Sequence, residues 1–316
     1  SRRATAAAPF TMSTRRERAL PDKLFERLAA LPHVPNERKS KRIKEAHWMA
    51  VDDPVKRTLK SPPTTLVEQV CEYLYKHGGA SLPPTICGLE WWVHSRPPGG
   101  KMHMHFDRDE RIWEDDGVMR HPLLSSIFFI SDVGGPTLIV EQRCDELHTR
   151  LLPEVPTGGT LLEVESGCWA TFDGRLLHGI CNAAQAQRRV PNLDLEQLNE
   201  EKQEGCEARR VTLLINFWDV ELRDAGQMCS AMSREEIWAY GAPFASKLWD
   251  APHKRAREGE LYTLDGDVVQ KLFSYDLTGD QDTSSDEGSD GDADSGEERL
   301  AARGEQQEAR EAGSHA

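Results

Sequence analysis

Residues 86–107 read ICGLEWWVHSRPPGGKMHMHFD, two short apolar or alternating runs split by Pro97, Pro98, Gly99 and Gly100. Gly and Pro in such positions punctuate strands. Side chains that alternate across a strand leave one face for a core and the other for a cavity or water. The same rhythm continues in LSSIFFISD (124–132), PTLIVEQ (136–142), TLLEV (160–164), CWATFDG (168–174), LLHGIC (176–181) and VTLLINFWDV (211–220). With ICGLEWWVHSR (86–96) and KMHMHFD (101–107) they make eight short strands over about 135 residues, which predicts a compact antiparallel barrel or two-sheet jelly roll. A polar, Glu- and Gln-rich insert at 183–208 interrupts the series and reads as a surface loop with some helix.

Helical spacing flanks this region. PDKLFERLAAL (21–31) places Leu24, Phe25, Leu28 and Leu31 on one face behind Pro21. In TTLVEQVCEYLYKHGG, Thr64 or Thr65 can cap, Leu66, Val67, Val70, Cys71 and Leu74 recur at helical spacing, and Gly78-Gly79 stop the helix. SREEIWAYG matches a capping box, with Ser233 at the cap and Glu236 three residues on. The expected plan is a leader and N-terminal helical or linker region (1–60), a catalytic domain (61–227) carrying the insert, a C-terminal helical extension (228–275) and an acidic tail (276–316).

The 316 residues carry a formal charge of −14, but the tail alone holds thirteen Asp or Glu against three Arg. It cannot bury enough apolar surface to order itself. Without it the chain is only mildly acidic, and it lacks the basic excess of a general nucleic-acid binder. No apolar run reaches the roughly 18 residues that cross a bilayer. Seven scattered cysteines with no CxxC pair read as reduced thiols of an intracellular protein, cytoplasmic or nuclear. SRRATAAAPFTMSTRRER fits either an organellar transit segment or a disordered leader.

Three stretches carry chemistry. Period-two geometry puts His103, His105 and Asp107 of MHMHFD on one strand face, yet an H-x-D triplet arises about once by chance in a chain of this length. FDGRLLHG returns His178 after a tight turn, where it can complete a site with His105 and Asp107. Two imidazoles and one carboxylate on one side of a metal leave three positions open, the arrangement of non-haem Fe(II) oxygen chemistry. A structural zinc would call for four closed, Cys-rich ligands, and no Cys stands at suitable spacing. Finally, Arg210 and Thr212 share a face at the start of the last strand, offering a guanidinium and a hydroxyl to an anion. His94 and His121 read as structural histidines. Trp91, Trp92, Trp169 and Trp218 read as core, with one of the adjacent pair facing the other way.

Over roughly residues 88–220 these elements resemble, in order, the 2-oxoglutarate and Fe(II)-dependent dioxygenases, nearest the prolyl-hydroxylase-like branch. Gly99 stands six residues before His105, Gly134-Gly135-Pro136-Thr137 matches a GG-x-T turn, FDGRLLHG matches the phrase around the distal His, and Arg210 with Thr212 opens the final strand. The resemblance implies a mainly β fold with flanking helices around a double-stranded β-helix, cupin-like core. It implies Fe(II) held by His105, Asp107 and His178, and 2-oxoglutarate anchored by Arg210 with Thr212. It implies O2 as co-substrate, room for ascorbate, and hydroxylation of a C–H bond, of peptidyl proline or another protein side chain or a small molecule, with release of succinate and CO2. His103 then becomes a neighbour of the site and not a ligand. Two departures stand out: Arg96 occupies a position where the branch often has Tyr, and Arg188 and Arg189, not Arg210, sit about ten residues after the distal His. A cupin-like metal-binding or interaction protein without 2-oxoglutarate turnover, or a barrel metalloenzyme that needs no oxo acid, fits the same strands. The oligomeric state is not readable.

Overall fold

The last core strand shows how the sequence divides inside from outside. In Arg210–Trp218, Val211, Leu213, Ile215 and Phe217 alternate with Arg210, Thr212, Leu214 and Asn216. The first set packs into a cluster with the helices Asp22–Ala29 and Leu66–His77, while the second turns towards the interior between two sheets. A computed structural model describes residues 13–31, 46–78, 82–99, 102–145, 148–182, 186, 209–228, 232, 234–243 and 251–278.

Eight core strands are numbered here in chain order: β1 Gly88–Arg96, β2 Met102–His105, β3 Leu124–Phe129, β4 Thr137–Val140, β5 Gly158–Leu162, β6 Trp169–Asp173, β7 Leu177–Ile180 and β8 Arg210–Trp218. The larger sheet has the central order β6-β3-β8-β1 and the smaller one β5-β4-β7-β2, antiparallel throughout. The chain passes from one sheet to the other at every step except the β4–β5 hairpin. That order is the double-stranded β-helix, and every strand expected from the sequence is present within a few residues of its expected bounds.

Both sheets are wider than the sequence indicates. Thr14–Glu17, inside the expected leader, pairs with β6, with Thr14 opposite Thr171. His47–Asp53 pairs with β1 on the other edge, so the sheet begins before the expected domain boundary at 61. The extension expected to be helical contributes Tyr262–Asp265, which pairs with β5, before the helix Gly266–Thr278 runs past the expected start of the tail. These edge strands are short and half polar, so alternation alone does not mark them.

The outer face of the larger sheet is covered by Leu24 and Leu28 of one helix and Leu66, Val67, Val70 and Leu74 of the other. The second helix starts with a full capping box, in which Thr65 accepts from the Glu68 backbone N–H at 3.2 Å and Glu68 accepts from the Thr65 N–H at 3.2 Å. On the smaller sheet Val269 and Leu272 of the C-terminal helix cover Leu138, Val140, Leu161 and Leu177. Cys71 and Cys168 are buried, and no disulfide forms among the described residues. No helix among the described residues is long and apolar enough to cross a membrane. The cap expected at Ser233, Arg188 and Arg189 of the insert, and the acidic tail beyond Thr278 lie outside the described residues.

Gly88 opens β1 where the indole of Trp48 lies against the backbone; a Cβ there would sit 1.9 Å from Trp48 Cζ2. Overpacking of this kind costs about 1–3 kcal/mol. Gly88→Ala should lower the urea midpoint accordingly, and Trp48→Phe should relieve part of that loss in the double variant. Simple additivity of the two changes would show that the contact is not the cause.

Candidate functional site

Cross-strand pairing of β2 with β7 sets His105 directly opposite His178. The register then slips: Met102 opposes Ile180, so three residues of β2 span what two span on β7. This bulge breaks the period-two reading of MHMH. Met102 turns into the cleft beside His105, and His103, expected on the ligand face, is exposed. What His103 contributes is its backbone carbonyl, which accepts from His105 Nδ1 at 2.9 Å. His178 Nδ1 likewise lies 3.0 Å from the carbonyl of Leu176. With each Nδ1–H donating to a carbonyl, each Nε2 keeps its lone pair for a ligand.

Both Nε2 atoms face Asp107, just beyond β2: His105 Nε2 is 3.9 Å from Asp107 Oδ1, and His178 Nε2 is 3.7 Å from Oδ2. One ligand atom from each of the three residues can be chosen so that all lie within 4.8 Å of one another. Ser125 on β3 donates to Asp107 Oδ2 at 2.6 Å, and His121 Nδ1 donates to the Asp107 carbonyl at 2.8 Å. Burial pushes the Asp107 carboxyl up, but His178, His105 and the hydrogen bonds from Ser125 and Asn216 outweigh it and hold the group below its usual value. Burial drives His178 the other way, down to about 4 against the pull of Asp107, so its imidazole is neutral and able to ligate.

The opposite end of the cleft is cationic. Arg210, 3% exposed, donates from Nε to the Gly135 carbonyl at 3.2 Å and from Nη2 to Thr137 Oγ1 at 3.0 Å. Its stem lies on Gly134, whose φ of +102° and whose Cβ position, 2.6 Å from Arg210 Cδ, both demand glycine. The GG-x-T turn is therefore built around this side chain. The guanidinium is 5.6 Å from the centre of the Phe129 ring. Burial and the neighbouring Arg96 lower the Arg210 pKa to about 10, still fully charged at neutral pH. Thr212 Oγ1 is buried with no hydrogen-bond partner among the described residues. No carboxylate within ion-pair reach of Arg210 occurs among the described residues.

Between the two ends runs a cleft walled by Trp92, Ile127, Phe172, Ile180 and Leu214. Of the adjacent tryptophans, Trp91 packs in the helix-covered core and Trp92 faces the cleft, as alternation requires. His94, expected to be structural, also lines the cleft. It accepts from Trp92 Nε1 at 3.1 Å, and burial, then Arg96 and Arg210, push it down to about 3. Alternation from Trp92 through His94 to Arg96 carries the signal for both residues. Ser125 and Asn216 left no such signal, because a Ser in LSSIFF and an Asn in VTLLINFW have no distinguishing spacing. Behind Asp107, Glu90 accepts from Trp218 Nε1 at 3.1 Å, and burial with the nearby Asp107 charge raises it to about 8. Gly99, matched by spacing to a family glycine, has open space around its Cβ position.

No protein-family model and no curated protein matches the chain. Among solved structures, it is similar to a prolyl-4-hydroxylase from Pseudomonas putida at 17% identity, over 65% of this chain and 91% of that one, with a TM-score of 0.34. It is similar to the non-haem α-ketoglutarate-dependent carbocyclase SnoK of nogalamycin biosynthesis at 12% identity, over 75% and 90% of the two chains, with a TM-score of 0.32. A third is a 2OG-Fe(II) oxygenase family oxidoreductase from Burkholderia pseudomallei, at 10% identity over 55% and 66%, with a TM-score of 0.29. Strand order and ligand geometry stand on this chain's own residues, independently of these likenesses.

Proposed function

We propose that the protein is an Fe(II)- and 2-oxoglutarate-dependent oxygenase that hydroxylates a C–H bond. The observation that carries this reading is the pairing, in one cleft, of a His–Asp–His set with a buried guanidinium that no carboxylate among the described residues neutralises. The donor set of two imidazole nitrogens and one carboxylate fits a non-haem iron. Among the described residues no cysteine lines the cleft to favour a closed structural zinc. A buried cation without a counter-ion is costly, and an anionic ligand removes that cost.

In this reading His105, Asp107 and His178 hold the metal, and Arg210 with the unpartnered Thr212 hydroxyl holds the distal carboxylate of 2-oxoglutarate. Bound together, these groups supply the oxidising chemistry, consuming O2 and releasing succinate and CO2. The chain's own work is positional. The carbonyls of His103 and Leu176 fix the tautomers of the two histidines, and Ser125 restrains Asp107 Oδ2. Trp92, Ile127, Phe172, Ile180 and Leu214 keep water from the reacting centre. The hydroxylated substrate is a protein side chain, peptidyl proline included, or a small molecule; the fold does not choose.

Anaerobic Fe(II) followed by 2-oxoglutarate should give the weak visible charge-transfer band of the chelate in wild type and none in His178→Ala. A folded, iron-loaded wild type without the band refutes the reading and leaves a cupin-like metal binder. Hydrogen bonds to charged groups are worth about 1.5–3 kcal/mol, so Arg210→Ala should weaken 2-oxoglutarate binding roughly 10- to 100-fold. Arg188→Ala should leave it unchanged; the reverse order in a titration would move the anchor into the insert.

A further inference from the structure

We propose that Arg96, which stands beside the cationic end of the cleft, is a second anion-binding residue, so that the distal carboxylate of 2-oxoglutarate is held by two guanidiniums; this rests on the co-substrate role given to Arg210 above. The antiparallel register of β1 and β8 places Arg96 directly opposite Arg210 and His94 opposite Thr212. Like charges facing each other across a sheet destabilise it. Nothing among the described residues relieves this pair, since neither arginine has a carboxylate within ion-pair reach. Arg96 Nε is buried and without an acceptor, as is Thr212 Oγ1 one step along the same faces. Two cations and an orphaned hydroxyl therefore converge on one unfilled need, an oxyanion.

The acids on this side of the sheets are committed elsewhere. Asp107 faces both histidines and accepts from Ser125, and Glu90 accepts from Trp218. His94, beside the arginines, is held neutral by burial and by their charge, so it adds no cation and cannot replace either. A carboxylate accepts up to about four hydrogen bonds through its two oxygens, and guanidiniums present donors in a planar fork suited to it. One carboxylate can therefore satisfy Arg210 and Arg96 together, and Arg96 makes the seat selective for an anionic end over a neutral one.

The test is calorimetric titration of the full chain, stripped of metal with a chelator, using glutarate as the probe, because it has the distal carboxylate and lacks the oxo acid. Arg96→Gln should bind glutarate roughly tenfold more weakly than wild type, the scale of one charge-assisted hydrogen bond. Arg96→Lys, which keeps the charge but not the fork, should fall between them. Equal affinity in wild type and Arg96→Gln overturns the proposal, whether or not the iron-loaded protein consumes 2-oxoglutarate. Equal losses in the Gln and Lys variants also overturn it, since they would mark a structural role. Glutarate binding that depends on Arg96, in a protein that never consumes 2-oxoglutarate, supports the two-guanidinium seat and refutes the oxygenase reading instead.

Discussion

A guanidinium that is almost wholly buried on a central strand, with no carboxylate among the described residues to meet it, is the constraint around which the cleft is arranged. Removing a charge from water costs several kcal/mol unless other groups replace the lost hydration. Arg210 recovers part of that through the Gly135 carbonyl and Thr137 hydroxyl, and part through the face of Phe129. The Gly135 and Thr137 partners require β4 and its preceding turn to approach β8 closely, and at that approach Gly134 has positive φ and no room for a side chain. The two sheets are thus tied at one end by a polar side chain, while Ile127, Phe129, Ile139 and Phe172 pack between them further in.

The other end is tied by a different device. His105 and His178 face each other across β2 and β7, and both use Nδ1 on a backbone carbonyl, so neither ring needs a side-chain partner to fix its tautomer. Asp107 is the piece that must be held, because it lies beyond the end of β2, and Ser125 from the larger sheet and His121 from the preceding loop hold it. The three candidate ligands thus come from the smaller sheet, and the larger sheet supplies the support for Asp107. A shift of one sheet against the other would separate Asp107 from its support before it separated the two histidines.

The eight core strands were legible because each alternates or runs apolar between Gly and Pro signals, and His105, Asp107 and His178 because their motifs occur in a recognisable order. What failed has particular causes. The inward face of β2 was misassigned at His103 because a bulge adds a residue that alternation cannot reveal. Thr14–Glu17, His47–Asp53 and Tyr262–Asp265 were missed because edge strands pair through backbone and need no apolar pattern. His94 and Arg96 could have been placed from Trp92 by period two, but neither belongs to a motif, and only the β1–β8 register shows that they face Thr212 and Arg210.

One strand makes the division of labour plain. On β8 the outward residues Val211, Leu213, Ile215 and Phe217 are buried against two helices, and the inward ones include an Arg, a Thr and an Asn. A sheet buried on both faces would ordinarily fill both with apolar side chains. Here the helix-covered face supplies the hydrophobic burial, at roughly 1.5–3 kcal/mol for each large side chain, while the inner face carries polar and charged groups. Coverage of the outer faces is what permits a polar interior, and in the proposed function an anion and a cation bound at its two ends would offset the cost of burying those groups.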